Sequence, residues 1–188
     1  MSTSFFFGYG SLVNRRTHAF DPAHKAVAKG WRRVWARVPG RPVSLLTVSR
    51  DAGSEIEGLI APVTGEGWAV LDQREADYDR TDARADVRHE APTVEELAIY
   101  VVPEADRLPP DTEHPVLLSY LDVVLQGYLG EFGKEGAERF LASTGDWRVP
   151  FLNDRDAPLY PRAQSLSDAE RGFVDAALLY VGAQVFSR

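Results

Sequence analysis

The stretch Phe5-Phe6-Phe7-Gly8-Tyr9-Gly10-Ser11-Leu12 decides how the rest of this chain is read. Three phenylalanines closed by two glycines and a serine read as a buried strand entering a tight loop. Working outward, Lys25 to Val63 holds segments rich in Val, Ile, Leu and Trp, separated by Gly30, Pro39-Gly40, Pro42 and Asp51-Ala52-Gly53. That pattern predicts three antiparallel strands. From Thr64 to Arg80 the period changes, with Trp68, Leu71, Glu75 and Tyr78 falling on the stripe of one helix. Ala85, Val87 and His89 alternate with charged neighbours, and Leu97 to Val102 is apolar, which adds two strands and brings the sheet to about six.

Leu117, Leu121, Val124 and Tyr128 then repeat at helical spacing behind Pro115, a residue tolerated in a first turn. Near the end, Ser167 and Glu170 form a capping box ahead of Val174, Leu178, Val181 and Val185. This last helix is expected to pack on the sheet. Trp147 to Arg162, dense in Pro, Asp and Arg, has no period and reads as an ordered surface wrap. The fold class expected is α+β.

The length of 188 residues suits one domain with a real core, and 44% hydrophobic with 26% charged residues is the profile of a folded chain. A formal net charge of -7 opposes the electrostatic footprint of nucleic-acid or anionic-membrane binding. No cysteine is present, which excludes thiolate metal ligands and cysteine nucleophiles. Met1 to Phe7 lacks the basic start and long apolar run of a signal peptide, and no later segment has the span of a transmembrane helix. A cytoplasmic protein is expected.

Several motifs fail on inspection. A dinucleotide fingerprint starting at Gly8-Tyr9-Gly10 requires glycine where Val13 stands. The nucleophile elbow around Ser11 fails at the same residue. Gly133-Lys134 resembles the end of a phosphate loop, but Glu135 replaces the hydroxyl residue and Tyr128 the first glycine. His18, His24, His89 and His114 have no paired spacing, so no metal and no nucleotide cofactor is expected.

Glu75 is the informative residue. Its stripe neighbours Trp68, Leu71 and Tyr78 normally face a core, so its carboxyl is expected to be partly desolvated. Burial penalises the charged form and raises the pKa toward the range useful for proton transfer near neutrality. The competing reading is an edge glutamate reaching water or paired with Arg74 or Arg80. The turn Tyr9-Gly10-Ser11-Leu12 can point successive backbone N–H groups into one concavity able to hold a carboxylate or oxyanion, or it can be an ordinary strand-ending turn. Tyr120 borders an apolar stripe and by itself reads as core packing with a satisfied hydroxyl. Tyr100 lies opposite Leu97, Ile99 and Val101 on its strand, facing a barrel interior or a helix. Asp154, Arg155 and Arg162 could reach a substrate carboxylate or form an ion-paired wrap.

Three ordered patches carry a resemblance: strand-Tyr9-Gly10-Ser11-Leu12, then Leu71-Asp72-Gln73-Arg74-Glu75, then Ser119-Tyr120-Leu121 followed by Val123-Val124-Leu125-Gln126-Gly127. Together they resemble the γ-glutamylcyclotransferase superfamily, with its AIG2-like and ChaC-like proteins, from Phe5 to about Gly133. The resemblance implies a small mixed, mostly antiparallel β-barrel with flanking helices, and one domain over 1–188 with 1–133 as its core and 134–188 as a helical extension packed on it. It further implies an enzyme that cyclises a γ-glutamyl group to 5-oxoproline and releases an amine or peptide. In that reading Glu75 is the catalytic acid/base, Tyr9, Gly10, Ser11 and Leu12 form the substrate loop, and Tyr120 contacts the γ-glutamyl group, with Tyr100 a further candidate contact. No cofactor is needed, and the partner is a small γ-glutamyl substrate. Where some members carry asparagine after the loop serine, this chain has Leu12, which leaves the leaving-group preference open. The rival readings are a non-catalytic module binding a γ-glutamyl or other small acidic ligand, a related cyclotransferase acting on a γ-glutamylated amine or a natural-product side chain rather than on a peptide, and an interaction domain displaying Trp31, Trp35 and Trp68.

Overall fold

The computed structural model describes residues 3–187. In chain order its regular elements are β1 (Ser4–Gly8), β2 (His24–Arg37), β3 (Ser44–Pro62), α1 (Gly67–Arg74), β4 (Asp79–Asp82), β5 (Val87–His89), β6 (Glu96–Val101), β7 (Val116–Leu117), α2 (Leu118–Ala142), β8 (Pro150–Leu152), α3 (Asp168–Val181) and β9 (Gln184–Phe186). A six-stranded sheet runs β4-β6-β1-β3-β2-β5, and a three-stranded one β7-β8-β9. Only the β1–β6 pair is parallel in the larger sheet, which curls into a half-barrel. The α+β architecture on a mostly antiparallel curled sheet is as expected.

β1 is an apolar run because both of its faces are covered. Phe5 and Phe7 point into the main core with Leu59, Leu97, Ile99 and the buried stripe of α2. Phe6 points the other way, into a smaller cluster with Leu12, Ala61, Val63, Leu71 and Tyr100, roofed by α1. The strand count of six is met by a different tally. Two long strands, not three, fill Lys25 to Val63. Gly30, at φ 75°, sits at a register shift, and residues 51–54 bulge opposite it between the pairs Lys29–Glu55 and Trp31–Arg50. The turn chemistry at Asp51 is real, since its carboxylate accepts from Gly53 N–H and Ser54 Oγ, but the chain resumes pairing with the same partner beyond it.

The strand that restores the number to six comes from the predicted helix. α1 ends at Arg74, Glu75 caps it, and Asp79 to Asp82 pair with β6 as an edge strand. The stripe therefore breaks after Glu75, and Tyr78 belongs to a turn closed by its N–H on the Glu75 carbonyl at 2.9 Å. α2 outruns its predicted span and passes through Gly133 at φ 69°. The capping box of Ser167 and Glu170 forms as read, but α3 packs chiefly against α2 rather than on the sheet.

The segment read as an aperiodic wrap contains β8, whose Phe151 is fully buried. Asp154 follows it and supplies what the start of α2 lacks. The residue before that helix, Leu117, has no capping side chain. Asp154 Oδ1 accepts from Ser119 N–H at 2.8 Å and Oδ2 from Ser119 Oγ at 2.6 Å. The same carboxylate takes Leu159 N–H at 2.9 Å and so ties the wrap to the helix. Asp154→Ala is expected to cost about 1–3 kcal/mol of stability, from a lost cap and stranded buried donors. Thermal denaturation measures the loss, and hydrogen exchange at the Leu159 and Tyr160 amides reports the loosened wrap.

Candidate active site

The loop after β1 is a single 3-10 turn, Ser11–Val13, closed by Val13 N–H on the Gly10 carbonyl at 3.0 Å. It presses on α2 so closely that a Cβ at position 10 would lie 2.7 Å from the Tyr120 hydroxyl, which glycine alone avoids. The Ser11 N–H faces that same hydroxyl. Among the described residues, the N–H groups of Gly10 and Leu12 donate to no backbone carbonyl outside the regular elements. Behind the loop, the Tyr9 carbonyl is held by Arg33 Nε at 2.9 Å, and the Tyr9 hydroxyl donates to the Tyr100 carbonyl at 2.7 Å.

Glu75 faces this loop across a cavity of about 140 Å³ lined by Ser11, Leu46, Arg74, Tyr78, Tyr120 and Arg162 among others. A small inner recess continues it toward Gly8, Tyr9, Gly10 and Leu12. Ser11, Leu46, Glu75, Tyr78 and Tyr120 border both compartments. The Glu75 side chain is 17% exposed and pairs with Arg74 Nε at 3.0 Å. Arg74 also donates to Ser11 Oγ at 3.3 Å and to the Thr17 carbonyl at 3.0 Å, so one guanidinium joins the carboxylate to the loop.

Burial pushes the Glu75 carboxyl above its ordinary value, and the nearby charge of Asp77 adds to the shift, while the charges of Arg74 and Arg162 and the Arg74 hydrogen bond oppose it. The phenols around it are shifted upward as well. Burial raises Tyr9, Tyr78 and Tyr120, and the Glu75 charge contributes to each. These three hydroxyls therefore remain neutral and stand in a low-dielectric ring about the carboxyl. The paired-glutamate reading and the buried-glutamate reading both describe the side chain, since it is desolvated and ion-paired together.

Tyr9, Gly10, Ser11, Leu12, Glu75 and Tyr120 thus come together around one opening. Tyr100 borders the inner recess, but its ring lies in the smaller cluster under α1 and its hydroxyl donates to Asp72 Oδ1 at 2.5 Å. Its helix-facing alternative is the one realised. Arg155 is turned away, bound to Asp122 at 2.6 Å and Asp175 at 2.6 Å. The residues missed in the sequence are Tyr78, read as part of the helical stripe, and Tyr160, hidden in an aperiodic stretch, whereas Arg162, weighed as a substrate-carboxylate contact or as part of an ion-paired wrap, lines the cavity. Trp31 and Trp35 are buried and Trp68 half-buried against the smaller cluster, so the proposed tryptophan display does not exist. Among the described residues no cluster of three or more His, Asp or Glu is suited to a metal ion, and no helix is long and apolar enough to cross a membrane.

The family model described as gamma-glutamyl cyclotransferase, AIG2-like, matches residues 6–119. The chain belongs to that family. Among solved structures, it is similar to YkqA from Bacillus subtilis, with 18% identity and TM-score 0.56 over 72% of this chain and 52% of that one. The chain thus spans about half the length of YkqA. It is also similar to a structure titled gamma-glutamyl cyclotransferase, with 12% identity and TM-score 0.53 over 92% and 98% of the two chains. The human protein loc79017 gives 12% identity and TM-score 0.52 over 93% and 99%. No curated protein matches the sequence. At these identities the structural likeness speaks for the fold.

Proposed function

We propose that this chain is a γ-glutamylcyclotransferase-type enzyme that closes a γ-glutamyl group to 5-oxoproline and releases the attached amine. The observation that carries the reading is the largely buried Glu75 carboxyl, its pKa raised, opening onto the same cavity as the Gly10–Leu12 turn. A γ-glutamyl amide holds its own nucleophile and electrophile. The α-amine attacks the γ-carbonyl carbon, the ring C–N bond forms, and the bond to the departing nitrogen breaks as that nitrogen gains a proton. Holding the reacting atoms near contact supplies up to roughly 7–11 kcal/mol of the barrier.

Glu75 takes the proton from the attacking amine and returns one to the departing nitrogen, so one carboxyl serves both halves of the reaction. The free N–H groups of Gly10 and Leu12 hold the substrate α-carboxylate or the developing oxyanion. Tyr120 closes the chamber as a neutral donor, while Tyr9, its hydroxyl proton held by the Tyr100 carbonyl, serves as part of the inner wall. The Arg74–Glu75 ion pair favours a second reading, a module that binds γ-glutamyl ligands without turning them over, because a committed carboxylate is a poor base. A screen of γ-glutamyl amines and peptides for 5-oxoproline release separates the two, and binding without release would leave only the module.

The pH profile gives a further expected result. Glu75 must be ionised to accept a proton, so kcat/KM rises with pH through its pKa, and the rising limb is expected above the ordinary carboxylate range. Arg74 holds that pKa down. Arg74→Gln is therefore expected to move the limb to higher pH, measured as initial rates across pH 4 to 9; a limb that stays put would separate Glu75 from the rate.

A further inference from the structure

Of the four charged side chains lining the candidate site, Arg74, Glu75, Asp77 and Arg162, three are held in ion pairs. Arg74 is paired with Glu75, and Asp77 with Arg41 at 2.6 Å. Arg162 lines the same cavity, yet among the described residues its guanidinium makes no hydrogen bond or ion pair. Arginine presents a planar fork of donors that matches a carboxylate, so one left open at a cavity wall is a vacant half of such a pair.

The segment carrying Arg162 is held in place by contacts that leave the guanidinium alone. Pro161 occupies the second position of a turn closed by Ala163 N–H on the Tyr160 carbonyl at 3.0 Å, where proline presets the backbone. The Asp154 carboxylate anchors Leu159, and Gln126 Nε2 donates to the Ser165 carbonyl at 3.0 Å. The Tyr160 ring stands edge-on to Tyr120, centroids 5.1 Å apart, which sets the turn against α2. Both Tyr160 and Arg162 lie beyond residues 6–119, the part of the chain that matches the family.

Position decides which end of a substrate the guanidinium meets. The inner recess is bounded by Gly8 to Leu12, and Arg162 borders only the outer compartment. A γ-glutamyl head directed at the loop leaves its amide nitrogen near Glu75 and its amine component pointing outward past Tyr120. We propose that Arg162, set by Tyr160, is a carboxylate subsite for the leaving group, so that the chain selects γ-glutamyl conjugates whose amine component carries a carboxylate, as an amino acid does, over conjugates of uncharged amines. The proposal rests on the cyclotransferase reading for its orientation. Asp77 is taken up by Arg41, and a γ-glutamyl head with its ammonium and α-carboxylate is neutral, so the additional carboxylate supplies the hydrogen-bonded partner that Arg162 lacks.

The test compares γ-glutamyl-alanine with γ-glutamyl-alanine amide, which differ only in the leaving-group charge, using wild type, Arg162→Gln and Arg162→Lys. Wild type is expected to favour the acid by about 10- to 100-fold in kcat/KM, the worth of a charge-assisted pair. Arg162→Gln is expected to bring the acid-to-amide ratio near unity, and Arg162→Lys to restore part of it. A wild-type ratio near unity, or an Arg162→Gln variant that keeps the wild-type ratio, overturns the subsite while 5-oxoproline release still supports the enzyme. If neither compound yields 5-oxoproline, the enzyme reading fails, and calorimetric binding of the same two compounds decides the subsite. Discrimination that vanishes in Arg162→Gln upholds it, and equal binding of acid and amide overturns it.

Discussion

Glu75→Gln is expected to lower 5-oxoproline release by roughly 10²- to 10⁴-fold, the range that a positioned proton-transfer group contributes. The amide keeps the shape of the side chain and loses the ability to accept a proton, so substrate affinity is expected to change little. Stability provides the control. In the folded chain the carboxyl has a raised pKa, which means that the native state holds a proton over a pH range where the unfolded chain has released it. Stability from this group is therefore lost as pH rises from the unfolded pKa through the folded one. At neutral pH the wild type carries that penalty and the variant does not, while the variant gives up the ionic half of its contact with Arg74. The melting temperature of Glu75→Gln is accordingly expected to match or slightly exceed that of the wild type. A variant that melts normally and still releases 5-oxoproline at the wild-type rate would remove Glu75 from the chemistry.

The second large effect is expected at Arg33, a fully buried guanidinium. It donates to the Tyr9 carbonyl at 2.9 Å, to the Glu57 carbonyl at 2.5 Å, to Ser143 Oγ at 2.7 Å and to the Tyr128 hydroxyl. Its charge lies over the rings of Phe140 and Tyr128, with centroids 4.7 and 5.1 Å away. Burial lowers its pKa, and hydrogen bonds with aromatic faces replace the water it has given up. Arg33→Ala strands those acceptors and opens a void, at an expected cost of roughly 3–5 kcal/mol. Arg33→Lys is expected to recover little, because a single ammonium cannot span the Tyr9 and Glu57 carbonyls as the planar fork does. Urea midpoints measure both variants. A loss below about 1 kcal/mol for the alanine variant would mean that the site relaxes around the gap.

The sequence was most readable where chemistry is local. Gly10 and Ser11 announce the turn, the Ser167–Glu170 box announces α3, and the sandwiching of β1 is visible as three successive phenylalanines. Glu75 was found on a stripe that holds only as far as the end of α1. Its pairing with a core direction survived because Leu71, one turn earlier, does point inward. What could not be read is long-range pairing. Asp79 to Asp82, with Thr81 the one strand-favouring residue, become a strand because the β6 edge offers partners. Arg33 looks like one of several charges on an alternating strand, and nothing in its neighbourhood marks the aromatic and carbonyl groups that arrive from residues 9, 57, 128 and 140. Arg162 is visible as a charge able to reach a carboxylate, but its place at the cavity is hidden for the same reason. Its meaning depends on Asp154 reaching Ser119 and on the packing of Tyr160, neither of which leaves a period in the chain.

The walls of the cavity and its inner recess come from six separate parts of the chain, around residues 7–12, 43–46, 74–78, 100, 117–120 and 160–162. Contacts this distant in sequence are closed late and slowly during folding, after the loop-closure cost has been met. No hairpin or helix by itself contains a partial version of the chamber. Regain of function on refolding should therefore trail the recovery of helix signal, and a nicked or half-folded chain would be inert toward its ligand rather than merely weakened.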